Sequence, residues 1–277
     1  MSIGESSESA GFLRIANPDD PVYRIFTLWF LEETLRLKQL ILVQPQLWED
    51  PYELLAESVA VVDKSTTPWR QVFLERHLRP AYAQAWSRTR ESGTLLRAYS
   101  RVVKDPHFGR NTCPRDEGVR VRSTPRKLLA VLRAWCPTDA DRTCFIGSVQ
   151  YLPRERLLQH VANLVGSRGP EFFSAGRPRA ELRLLKRHEY SHEAEVRLIY
   201  VEERDSVAGK FVQVPFEPND VFEDINFDPR LLTFERNERE TVVRSLGYTG
   251  SISTSDLYQR TLLEIVPEFE PPASDGS

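Results

Sequence analysis

The chemistry-bearing residues of this chain crowd into one run, Lys186-Arg-His-Glu-Tyr-Ser-His-Glu-Ala-Glu-Val-Arg-Leu-Ile-Tyr200. Two spacings compete there. His188, Glu189 and His192 spell HExxH, which on a helix puts two imidazoles on one face to hold zinc, with the Glu as base. Glu193, Glu195 and Arg197 fall at every second position, which on a strand gives one face two carboxylates and a guanidinium. The first pattern would serve a zinc peptidase. From Ala194 onward the residues alternate at period two and end in Leu198, Ile199 and Tyr200, which favours the strand. No histidine follows His192, although Glu217, Asp220 and Glu223 are available as further ligands. The two histidines are therefore expected in an exposed polar turn, with no metal. The charged strand face is expected to meet water, while Ala194, Val196, Leu198 and Tyr200 pack on the core.

Such a strand needs a scaffold. Apolar periodicity and breakers predict a strand over 21–26, a helix over 29–38 and a buried strand over 40–43, then a turn at Trp48-Glu49-Asp50-Pro51. A helix over 69–78, a strand over 82–87 and a helix over 95–102 follow. Residues 104–115 read as a loop and 118–123 as a half-exposed strand of alternating apolar and basic residues. Pro125 suits the first turn of a helix running to Trp135. Further strands are expected over 144–151, 182–185, 195–201 and 210–214, with helices over 154–165 and 238–246. Gly247 is placed to cap the last helix. This irregular mixture predicts an α+β fold, with a central, mostly antiparallel sheet flanked by helices. One domain is expected over 13–268, between a disordered segment 1–12 and a flexible tail 269–277.

Bulk properties narrow the setting. With 277 residues, 40% hydrophobic and 28% charged, the chain can bury a sizeable core. A net charge of −3 argues against a polyanionic partner spread over the whole molecule. Basic residues nevertheless cluster over 101–133 and 168–187, predicting a positive patch for nucleic acid or a dinucleotide phosphate, or simply a solvated charged surface. Cys113, Cys136 and Cys144 form no CxxC pair, so a disulfide framework is not expected. The opening residues lack a secretory pattern and no apolar run reaches about 18 residues, so a cytoplasmic protein without membrane spans is expected.

Several short motifs, in order, resemble the bacterial family known as domain of unknown function 2971. They are Tyr23-Arg24-Ile25-Phe26, then Leu40-Ile-Leu-Val-Gln-Pro45 and Trp48-Glu-Asp-Pro-Tyr-Glu53. After these come Ala85-Trp-Ser87, Gly118-Val-Arg-Val-Arg-Ser123, and Lys186 with Glu193-Ala-Glu-Val-Arg197. Asp228-Pro-Arg230 and Ser255-Asp-Leu-Tyr258 complete the set. Where members of that family often carry Trp-rich patterns, this chain has Leu95-Leu96-Arg97-Ala98. The layout is also similar to ADP-ribosyltransferases, especially DarT-type toxins. That resemblance implies an NAD-consuming enzyme, a toxin or phage-defence effector with a nucleic-acid or protein acceptor and an antitoxin partner. It makes Glu195 the catalytic carboxylate and Glu193 its accessory. Arg24 would bind the NAD diphosphate, within a set completed by Tyr23, Ser87, Lys186 and Arg197; Ser100 is a second candidate for the middle Ser. Other readings stay open: a non-enzymatic nucleic-acid- or partner-binding module, or a nuclease. Arg24 would then serve only to pair with Asp50 or Glu53.

Overall fold

Glu195–Val201, rich in β-branched and aromatic residues, is the strand around which the molecule is arranged. A computed structural model describes residues 11–65, 67–136, 139–203, 209–258 and 262–265. Its strands are β1 (Phe12–Leu13), β2 (Val22–Thr27), β3 (Gln39–Val43), β4 (Ala60–Asp63), β5 (Arg70–Phe73), β6 (Ala81–Ser87) and β7 (Gly118–Ser123). They continue as β8 (Cys144–Ser148), β9 (Gln150–Leu152), β10 (Leu185–Arg187), β11 (Glu195–Val201), β12 (Phe211–Pro215), β13 (Asp224–Phe227) and β14 (Ser251–Thr254). The helices are α1 (Leu28–Leu37), α2 (Gly93–Tyr99), α3 (Pro125–Trp135), α4 (Ala140–Thr143), α5 (Arg154–Arg168), α6 (Gly176–Leu182), α7 (Pro218–Val221) and α8 (Thr233–Ser245).

The main sheet runs β1-β8-β11-β6-β2-β7-β13-β14, with β3 and β12 as a pair branching from β6. Its neighbours are antiparallel except β1 with β8 and β13 with β14. This is the expected α+β fold, one domain with helices against a mostly antiparallel sheet. Val196, Leu198 and Tyr200 on one face of β11 join a core with Leu128 and Leu132 of α3. Ile199 and Val201 on the other face pack with Ala180 of α6, Leu184 and Phe145. Every residue of β11 is buried. The expectation that its charged face meets water is thereby overturned, because β11 lies between β6 and β8 and is covered on both sides.

One local feature makes room for a site. Thr27 caps α1 by accepting from the Phe30 amide at 3.5 Å, and Leu28, Leu31 and Leu35 bury the inner stripe of that helix. Lys38 then takes a left-handed conformation (φ 52°) and turns the chain into β3. Because α1 intervenes, β2 and β3 splay apart instead of pairing. Each touches β6 at one position, Tyr23 opposite Ser87 and Val43 opposite Ala83. Across the resulting fork the Gln84 side chain bonds the Ile41 carbonyl (3.0 Å) and accepts from the Trp86 indole (3.0 Å).

Some elements differ from expectation. Residues 69–78 are not a helix but β5 and a short 3-10 turn, Leu74–His77, with β4 and β5 forming a separate hairpin. The helix expected over 95–102 is α2 and stops at Tyr99; the strand expected over 182–185 is displaced to β10; and α8 begins at Thr233. Gly11 and Phe12 already belong to the sheet edge, since the Gly11 carbonyl accepts from the Ile146 amide. The expectations for residues 1–10 and 266–277 lie outside the described residues. Among the described residues, no helix is long and apolar enough to cross a membrane.

Leu198 is fully buried in the central strand. Leu198→Ala is expected to lower the unfolding free energy by about 2–5 kcal/mol, read as a fall in the denaturant midpoint at constant m-value.

Candidate functional site

The fork between β2, β3 and β6 opens into a cavity of about 950 Å³, at the upper end of the roughly 300–1,000 Å³ typical of small-molecule sites. Tyr23, Arg24, Ser87, Lys186, Glu193, Glu195 and Arg197, all the residues expected from sequence to form the site, line it. Register explains part of this convergence. Tyr23, Ser87 and Glu195 are directly opposite one another across β2, β6 and β11. Residues so paired share a face of the sheet.

Glu193 reaches the site by a different route from the one expected. It does not lie on the strand but ends the 3-10 turn His188–Glu193, and Ala194, left-handed at φ 44°, links it to β11. The Ser87 hydroxyl donates to the Glu193 carbonyl at 2.6 Å and accepts from the Thr89 amide at 3.0 Å, so it fixes the backbone under that carboxylate. His188 and His192 are exposed, as expected for a polar turn. Among the described residues no group of three or more His, Cys, Asp or Glu is arranged to hold a metal ion.

A chain of buried charges runs through the site. Arg197 donates from Nε to Glu195 (2.6 Å), from both terminal nitrogens to Glu53 (2.7 Å each), and to the Arg183 carbonyl (2.7 Å). Its guanidinium lies 4.5 Å from the Trp48 ring centroid. Lys186 Nζ bonds Glu195 Oε1 (2.5 Å) and Glu193 Oε2 (2.6 Å), lies 3.5 Å from Glu53, and stands over the Tyr190 ring. Alternation along a strand did not require contact between Glu195 and Arg197, yet both are fully engaged. Three carboxylates thus face two cations.

The two glutamates titrate apart. Burial alone would raise the Glu195 carboxyl, but Arg197 and Lys186 outweigh it and hold the group well below the usual carboxylate range. Burial, and the hydrogen bond shared with Glu195, push Glu193 up to about 7 against the pull of Lys186. Burial would lower the Lys186 ammonium, yet Glu195, Glu193 and Glu53 keep it above its ordinary value. An ionised carboxylate and one poised near neutrality therefore stand side by side.

Arg24 is the opposite case. Asp50 and Glu53, the partners considered for it from sequence, bind Arg187 and Arg197 instead. Its Nη1 is buried with no hydrogen-bond partner among the described residues. The guanidinium lies over Phe26, and burial, only partly offset by Tyr99, brings it down to about 10. Arg24 thus lines the cavity with no acidic partner among the described residues.

Sequence reasoning took Trp48-Glu-Asp-Pro as a turn and did not assign Trp48, Glu53, Tyr99 or Tyr151 to the site. Tyr99 lines the cavity, and the Tyr151 hydroxyl accepts from the Glu195 amide at 2.8 Å. Ser100 lines it too, but its hydroxyl donates to Asp228 at 2.5 Å and accepts from the Gly118 amide at 2.6 Å. Much of the basic run 101–133 is engaged in ion pairs. Arg110, Arg115, Arg120, Arg122, Arg126, Lys127 and Arg133 pair with acids from elsewhere in the chain, while Arg101 lines the cavity.

No family model matches the chain, so its likeness to domain of unknown function 2971 stands on the short motifs alone. No curated protein matches it either. Among solved structures it is similar to DarT of Thermus sp. 2.9. The complex with ADP-ribosylated ssDNA gives a TM-score of 0.37 at 12% identity, over 88% of this chain and 97% of that one. The complex with NAD+ gives 0.36 at 11% identity, over 87% and 98%. The case for any reaction here stands on the side chains.

Two substitutions separate a structural charge from a ligand-binding one. Arg197→Met leaves Glu53 and Glu195 buried with only Lys186 to meet them, and is expected to cost about 3–5 kcal/mol of unfolding free energy. Arg24→Met removes a cation with no acidic partner among the described residues and is expected to leave denaturant stability unchanged or raised. A loss of more than about 2 kcal/mol at Arg24 would show that its charge is met within the protein.

Proposed function

We propose that this chain is an ADP-ribosyltransferase-like enzyme that consumes NAD, with the carboxylate pair at the nicotinamide ribose and Arg24 on the diphosphate. One observation carries the reading: the unpartnered Arg24 guanidinium and the Glu193–Glu195 pair share a single cavity. Breaking the bond between nicotinamide and ribose leaves the bonding electrons on neutral nicotinamide and develops an oxocarbenium-like cation on the sugar. Glu195, ionised throughout the neutral range, stabilises that charge, as a carboxylate does in glycoside hydrolysis. Glu193 accepts the proton of the incoming nucleophile. Arg24 meets the diphosphate through planar, charge-assisted hydrogen bonds. Tyr23 and Ser87 complete the cradle, and Lys186 and Arg197 hold the two carboxylates in place.

The acceptor in this reading is a nucleic acid or protein inside the cell, which would suit a toxin or phage-defence effector restrained by an antitoxin. A non-enzymatic binding module is the rival. It draws on one observation, that both oxygens of Glu195 are already occupied by Lys186 and Arg197.

The assay is release of nicotinamide, and transfer of label, from NAD carrying a labelled adenylate half in the presence of nucleic-acid and protein acceptors. Glu195→Gln is expected to lower turnover by at least about a hundredfold. Arg24→Ala is expected to raise KM more than it lowers kcat. Because Glu193 acts as a base, it must lose its proton. Turnover therefore rises with pH through about 7 and levels off above it. Binding of nucleic acid or NAD that is indifferent to Glu195→Gln, with no nicotinamide released, would favour the binding module.

A further inference from the structure

The Trp48-to-Glu53 segment folds against β10 and β11, and two of its three acids, Asp50 and Glu53, answer cations there. Asp50 takes Arg187 through two bonds (2.9 and 3.2 Å), and Tyr52 lies under the same guanidinium. Asp50 also caps the turn by accepting from the Tyr52 amide at 3.1 Å, which fixes the start of the 3-10 segment Pro51–Ser58. From that segment Glu53 projects into the protein, buried, and closes a two-pronged bond on Arg197. The remaining donor of that arginine on this side, Nε, goes to Glu195. The same Glu53 carboxylate lies 3.5 Å from Lys186, which holds both Glu193 and Glu195.

We infer that Glu53 is a positioning residue, which through Arg197 and Lys186 orients Glu195 and sets the negative charge felt by Glu193. The inference deepens the proposed reaction and rests on it for its functional meaning, but the coupling itself does not require NAD. A bidentate carboxylate fixes the plane of the guanidinium, and the guanidinium plane fixes where Glu195 can sit. Glu53 also neutralises cation charge that Glu195 and Glu193 would otherwise receive in full. Removing that charge makes the site less negative and makes Glu193 easier to ionise. The other groups facing Glu193 are Lys186 from β10, Glu195 from β11, Tyr151 from β9 and Tyr99 from α2, with Arg24 of β2 beyond Tyr99. None of these is itself substituted when Glu53 is replaced.

The test uses the full chain with 13C-labelled glutamate, following the Glu193 carboxyl by NMR across pH and assigning it with Glu193→Gln. Glu53→Gln, nearly isosteric and still able to accept from Arg197, is expected to lower the Glu193 midpoint by about one pH unit. The acidic limb of nicotinamide release moves down with it. Glu53→Asp, which withdraws the carboxylate by one methylene, is expected to give a smaller fall and serves if the Gln variant does not fold. A melting temperature that drops while the Glu193 midpoint stays fixed, in either folded variant, overturns the inference and leaves Glu53 a purely structural partner. If the midpoint moves but the wild-type protein releases no nicotinamide, the positioning holds and the NAD reading is what fails. If wild type turns over NAD and Glu53→Gln keeps both midpoint and pH profile, only the positioning role fails.

Discussion

Taking the Arg197 guanidinium out of water costs several kcal/mol, in order of magnitude, unless its donors are met, and much of the surrounding structure answers that demand. Arg197 is 1% exposed on the central strand β11. Glu53, Glu195 and the Arg183 carbonyl take its hydrogens, and Trp48 covers its face. Each answer imposes a further requirement. Glu53 must be delivered by a capped turn, Glu195 needs Lys186 on its other oxygen, and Lys186 draws in Glu193. Three chain segments, around residues 48–53, 183–186 and 193–197, are locked together by the saturation of one side chain.

Arg24 breaks that pattern, and the contrast gives the site its direction. In one cavity, Lys186 and Arg197 are met by protein carboxylates, while Arg24 on β2 has no acidic partner among the described residues. In the proposed reading, the carboxylate-rich end meets the cation-forming part of the ligand and Arg24 its negatively charged part. The sheet geometry keeps the two ends apart. With α1 separating β2 from β3, the fork stays open instead of closing into paired strands.

Much of this was legible in the sequence. The alternation from Ala194 to Tyr200 distinguished a strand from a zinc-binding helix, and the E-x-E-x-R spacing picked out the residues that meet in the cavity. What the alternation misjudged was exposure. Charges at every second position ordinarily mean water, and only the acids brought from 53 and the lysine at 186 make burial tolerable. Glu53 and Arg197 are 144 positions apart, and no local periodicity reports such a pairing. The signal that existed was the acidic, Trp-led composition of residues 48–53, whose charges had no nearby partner. Residues 69–78 were misread for a different reason. Trp69, Val72 and Phe73 repeat at helical spacing, yet Trp69 and Phe73 are exposed on a hairpin that packs little of itself away. The acids that pair with the basic run 101–133, Glu32, Glu91, Glu223, Asp19 and Asp141, are brought alongside it only by the fold.

The central claim is that one ligand spans the fork from Arg24 to the carboxylate pair. A crystal structure of the protein with an NAD analogue whose nicotinamide bond cannot break tests it most directly. The account predicts diphosphate oxygens within hydrogen-bond distance of the Arg24 guanidinium and the nicotinamide ribose hydroxyls beside Glu195. An analogue bound elsewhere, or seated in the fork with its diphosphate turned away from Arg24, would contradict it.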